Sequence, residues 1–150
     1  MPLIVGFAEA LVRADAMRRD VNEHNTSLRD HLWTGISALV PGVRLNGPPP
    51  GPTRLPNNLN LSFEGVQGET VLLGLDMQGV SASAGSACTT GNSEPSHVLL
   101  AMGLSEAMAR GSLRFTTGRG NTAEEVDDAV RIVAEVVARA RELASPIRAR

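Results

Sequence analysis

The chain has 150 residues, 42% hydrophobic and 20% charged, with a net charge of -2, enough for one domain with a real core and too short for two. That charge gives no reason to expect nucleic acid or an anionic membrane as partner, and no apolar run approaches the roughly 20 residues of a bilayer span. One cysteine excludes an internal disulfide and makes a reducing cytoplasm the expected compartment.

The start, "MPLIVGFAEALVRADAMRRD", turns polar too quickly for a secretory signal and carries no basic leader. The first forty residues have helical spacing: Phe7, Leu11 and Ala14, then Leu28, Leu32, Ile36 and Leu39–Val40. The more polar middle, "RRDVNEHNTSLRD", leaves open one long half-exposed helix or two pieces. Pro41–Gly42 ends it. Val43–Gly47 suits a short strand, and the proline-rich stretch from Pro48 an extended surface connection. Asn58–Phe63 alternates polar and apolar residues, the pattern of a half-buried strand. Gly68–Gly79 predicts a short helix closed by Gly79, and Val80–Ser83 the start of a strand.

After a loop of small residues, Ser93 is placed to cap a helix with Pro95 in its first turn and Gly103 as its stop. Ser105–Arg110 predicts another short helix and Ser112–Gly118 a strand. Thr122 and Glu125 form a T-x-x-E capping box. Val126, Ala129–Val130, Val133, Val136–Val137, Ala140 and Leu143 then mark the buried face of the last helix. No internal repeat and no composition shift is present. The order predicts an α/β fold, with a small antiparallel or mixed sheet and helices packed on one face.

Cys88 is the only cysteine. A lone cysteine is commonly a small buried hydrophobe, but Gly85, Ser86, Ala87, Thr89, Thr90 and Gly91 cannot build a core around a thiol. An exposed, chemically available thiol is the better expectation. Arg114, between Leu113 and Phe115 in a strand, points away from both. It either snorkels to solvent or clamps a carboxylate with its planar fork. Arg119 is read as a surface residue, and His24 and His31 as solvated. His97, nine residues after Cys88, matches no zinc spacing. "GRGN" is too short for a phosphate loop, and a Walker motif needs a lysine. All 14 basic residues are Arg, so chemistry that needs an amine nucleophile or a Schiff-base lysine is closed to this chain alone.

"SAGSACTTGNSEPSHVLLAMGL" followed by "ARGSLRFTTGRGNTAEEVDDAV" resembles the C-terminal part of cysteine desulfurases of the NifS/IscS type, pyridoxal-phosphate enzymes of the class V aminotransferase group. "RLPNNLNLSFEGVQGETVLLGLDMQGVSASAGSAC" resembles the stretch leading to their active-site cysteine, and "IVGFAEAL" the helix entering their small domain. The resemblance covers nearly the whole chain and implies a single small domain over residues 1–150, from a fold-type I enzyme. It implies that Cys88 takes sulfur from L-cysteine as a persulfide, giving L-alanine, and that the loop of small residues lets it deliver that sulfur elsewhere. It implies that Arg114 binds the substrate carboxylate. It also implies an iron–sulfur scaffold or other sulfur acceptor as partner, and a homodimer in the complete enzyme.

One departure limits this. The family's cofactor lysine, and the aspartate and histidine around the ring, lie in a large domain that has no counterpart here. Pyridoxal phosphate is therefore expected in the complete enzyme and not on this chain, which should be inactive alone. Two other readings stand beside it: a stand-alone sulfur-carrier or docking module, and a class V aminotransferase-like domain whose Cys88 is incidental.

Overall fold

The computed structural model describes residues 1–84 and 94–145. Cys88 and Ser93, both singled out in the sequence, lie outside them.

The N-terminal pattern forms one helix, α1 (Pro2–Leu39), 38 residues long. Its first residue is a proline, tolerated there because the N–H it lacks would have no helical partner. Its polar middle remains helical, with the pairs Arg13–Glu9 at 2.7 Å, Arg18–Asp15 at 3.3 Å and Arg19–Glu23 at 3.0 Å along it. Burial begins only at Asn25 and continues through Leu28, Arg29, Leu32 and Ile36. The helix stops as its punctuation predicts. Val40 precedes Pro41, is driven out of the helical region to φ -113 and ψ 100, and caps back to the Ile36 carbonyl.

Three antiparallel strands follow, in the order β1–β2–β3: β1 (Val43–Leu45), β2 (Asn58–Phe63) and β3 (Ser112–Thr116). The first and last are shorter than the sequence suggests. Asn46 still donates its backbone N–H to Asn60, but Gly47 then turns the chain with φ +85. Leu59, Leu61 and Phe63 of β2 and Leu113 and Phe115 of β3 form the apolar face of the sheet. Against it lie α1, α2 (Gly68–Asp76) through Val71 and Leu75, and α5 (Ala123–Ala144) through its valine stripe. Two helical glycines permit close packing. A Cβ on Gly35 would come within 2.7 Å of Val130, and one on Gly74 within 2.6 Å of Val136.

Helices on one face of a small sheet are thus borne out for α1, α2 and α5. The two short helices, α3 (His97–Ala101) and α4 (Glu106–Arg110), bury Leu99, Leu104 and Ala109 in a separate small cluster. Several sequence expectations need correction. Helix α3 begins at His97, because Ser96 takes a non-helical φ -56 and ψ 117, so Pro95 stands outside the helix. Leu143 is 75% exposed. Arg141 already bonds the carbonyls of Glu64 and Pro41 at 2.9 and 2.8 Å, in the turns after β2 and α1, so the elements beneath α5 end there. The expected strand at Val80 is reduced to one bridge, Ser83 with Arg114. His24 and His31 are exposed yet partnered. Nε2 of His24 lies 3.0 Å from the Asn121 carbonyl, and that of His31 lies 2.9 Å from Asp127. Among the described residues, no helix is long and apolar enough to cross a membrane.

Candidate functional site: a polar row across the sheet

Strand alternation sends every second residue to the face opposite the core. On that face the antiparallel register aligns Asn60 directly with Arg114. Asn46 extends the row on one side through its backbone bond to Asn60. Ser83 closes it on the other, exchanging two backbone bonds with Arg114 at 3.0 and 2.7 Å. Four polar residues from distant parts of the chain therefore stand in one line: Asn46, Asn60, Arg114 and Ser83.

The row is wired unevenly. Asn46 is only 5% exposed, and its Nδ2 donates to Asn60 Oδ1 at 2.7 Å and to Ser62 Oγ at 2.8 Å. Its Oδ1 is buried and accepts no hydrogen bond from the described residues. Such an unmet acceptor costs about 1–3 kcal/mol. Arg54 supports this end by donating to the carbonyls of Asn46, Pro48 and Asn58. Burial holds the Arg54 guanidinium below the ordinary arginine range, the neighbouring Arg29 adds to this, and Asp30 opposes it. The Arg29 side chain itself is buried, paired with Asp30 and donating to the Leu55 carbonyl at 2.9 Å.

Arg114 is different. It is exposed, and among the described residues its side chain makes a single long bond, from Nη2 to Ser83 Oγ at 3.5 Å. Most of its N–H donors are therefore available to a ligand. It opens onto a cavity of about 360 Å³ lined by Asn46, Asn58, Asn60 and Ser83 on the sheet side and by Ser96, His97 and Met102 on the α3 side. A guanidinium with donors to spare among amides and hydroxyls has the chemistry to hold an anion such as a carboxylate.

Of the residues marked in the sequence, Arg114 and His97 come together in this cavity. Arg119 stands apart from it, beside α1, lining a second cavity with Leu11 and Val21. The stretches that bracket residues 85–93 both reach the first cavity, through Ser83 on one side and Ser96 and His97 on the other. Asn46, Asn60 and Ser83 were not singled out from the sequence. The period-two pattern of Asn58–Phe63 announces a polar face, but only strand register makes Arg114 its neighbour.

The aminotransferase class-V family matches residues 1–129. The cysteine desulfurase IscS of Clostridium botulinum is 44% identical over 96% of this chain, which covers 36% of that protein. The cysteine desulfurase NifS of Azotobacter vinelandii is 43% identical over 92% of this chain, covering 34% of it. A solved NifS-like protein superposes with a TM-score of 0.72 at 30% identity, over 90% of this chain and 33% of its own. The chain spans about a third of the length of the relatives it matches.

Proposed function

Because the chain belongs to the aminotransferase class-V family, we propose that it forms the small domain of a cysteine desulfurase. In this reading Arg114 binds L-cysteine by its carboxylate and Cys88 takes the substrate sulfur as a persulfide. The observation that carries the proposal is the Arg114 guanidinium, with donors to spare, in a cavity that the stretches on both sides of Cys88 reach. The names of the relatives, cysteine desulfurases IscS and NifS, support it.

In net terms a protein thiol and L-cysteine give a protein persulfide and L-alanine. The Cβ–S bond of the substrate breaks and an S–S bond forms; the hydrogen count is conserved and no external oxidant is required. Pyridoxal phosphate supplies the electron sink for such a cleavage. The cavity donors suit a carboxylate but include no amine, and the chain contains no lysine to hold that cofactor covalently. In this reading the cofactor and its lysine belong to the portion of the relatives that this chain does not span. Within this chain, Arg114 and its row fix the substrate end and Cys88 receives the sulfur. An iron–sulfur scaffold or other acceptor then takes the sulfur from a homodimeric complete enzyme.

The test is to co-produce the chain with the remaining portion of the Clostridium botulinum relative and supply L-cysteine. L-alanine should accumulate, and Cys88 should become heavier by one sulfur atom in a mass spectrum. Cys88→Ser should abolish the persulfide while L-cysteine still binds. Undiminished sulfur transfer in Cys88→Ser would overturn the role given to this thiol.

A further inference from the structure

The hydrogen-bond ladder decides which side chains of the polar row come closest. Phe63 donates its backbone N–H to Gly111, and Thr117 donates to Asn57, so the odd-numbered residues of β2 form the bonded pairs with β3. Asn60 and Arg114, directly opposite in register, are therefore a non-bonded pair. In such a pair the Cα atoms stand about 4.5 Å apart and the side chains lie closer than in a bonded one. Both side chains line the same cavity. On its other flank Asn60 accepts the backbone N–H of Asn46.

Asn46 also decides which end of the Asn60 amide is left for a ligand. Both Nδ2 hydrogens of Asn46 are in use, one to Asn60 Oδ1 at 2.7 Å and one to Ser62 Oγ at 2.8 Å. With its Oδ1 held on the Asn46 side, Asn60 has Nδ2 at the other arm of its amide, and these two N–H donors meet no acceptor among the described residues. Reversing the Asn60 amide would set donor against donor. Asn46 itself is buried, with its Oδ1 unmet. A residue kept only for packing would be better apolar, so a buried amide with an unmet acceptor calls for a role beyond packing.

We propose that Asn60 is a second carboxylate donor beside Arg114, and that Asn46 is the positioning residue that keeps the Asn60 Nδ2 free for the ligand. A carboxylate accepts at two oxygens from several directions, so the Arg114 fork does not exhaust it and an N–H from the neighbouring strand can add to the hold. That the carboxylate is that of L-cysteine rests on the proposed function; the orientation of the Asn60 amide does not.

The test uses the chain co-produced with the remaining portion of the Clostridium botulinum relative, with L-cysteine as substrate and L-alanine as the probe of equilibrium binding. Asn60→Ala should raise KM for L-cysteine and weaken L-alanine binding in calorimetry, each about tenfold, the loss expected for a hydrogen bond to a charged group. Its kcat should stay within about twofold, because the contact is made before and during the reaction alike. Asn60→Asp keeps the shape and the bond from Asn46 but puts an oxygen where the N–H stood, and should bind more weakly still. Asn46→Leu should also raise KM, and Asn46→Leu/Asn60→Ala should be no weaker than Asn60→Ala alone, because Asn46 acts through Asn60. Partial unfolding would instead lower kcat and leave KM of the folded fraction unchanged. That result in both Asn60 variants overturns the proposal. Unchanged KM and L-alanine affinity in Asn60→Ala, beside a raised KM in Arg114→Ala, overturns the second donor while the proposed function stands. Unchanged KM in both Asn60→Ala and Arg114→Ala overturns both. Additive losses in the double variant overturn the positioning role of Asn46.

Discussion

Arg114 and Arg54 are one residue type in two surroundings. Arg54 spends its donors on three backbone carbonyls and holds the connection before β2 in place. Arg114, two strands away, has one long bond at 3.5 Å and an open cavity before it. A bidentate, charge-assisted contact to a carboxylate contributes on the order of 1.5–3 kcal/mol. In the co-produced enzyme, Arg114→Ala should therefore raise KM for L-cysteine at least about tenfold, with a smaller effect on kcat. Arg114→Lys should recover part of the loss, since an ammonium keeps the charge but not the fork. An unchanged KM in both variants would remove the clamp. The direction of Arg114 was legible from its position between Leu113 and Phe115. Its neighbours Asn60, Asn46 and Ser83 were not, because strand pairing alone brings them alongside.

At the scale of elements, α5 is where local signals and structure agree most closely. The Thr122 side chain accepts from the Glu125 backbone at 3.2 Å, and the Glu125 carboxylate accepts from the Thr122 backbone at 3.2 Å, completing the capping box read from the sequence. Thr122→Ala should destabilise the chain by about 1 kcal/mol, seen as a fall of about 2–4 °C in melting temperature. Glu124 gives this end of the helix a pH signature. Its own backbone N–H and the Thr122 side chain hold its carboxyl below the usual range. A depressed carboxyl stabilises the fold above its unfolded pKa, and that contribution disappears as pH falls through the folded value. Thr122→Ala should shift the Glu124 titration upward, read by NMR, without restoring it fully, since the larger backbone contribution remains. No shift would detach Thr122 from Glu124. Other elements were less legible. Leu143 fits the periodic stripe yet is exposed, because the surfaces beneath α5 end one turn earlier. His24 and His31 look solvated on α1 alone but reach Asn121 and Asp127 once α5 packs against it.

At the scale of the whole molecule, the described residues form a small core with an exposed N-terminal length of helix. Borohydride treatment of the isolated chain mixed with pyridoxal phosphate should leave no cofactor attached to any internal residue, since the chain contains no lysine; peptide mapping that found one would contradict this. That limit was set by composition, which no fold can alter. Turn residues, capping residues and apolar spacing act over a few neighbours. For this reason the helical N-terminal segment and its stop at Pro41, the strand at Asn58–Phe63 and the start of α5 were determined by the sequence alone. The continuity of α1 through its polar middle, the reduction of the Val80 strand to a single bridge and the line from Asn46 to Ser83 were decided by tertiary structure. Each depends on contacts between residues far apart in the chain, where register and packing area outweigh local preference.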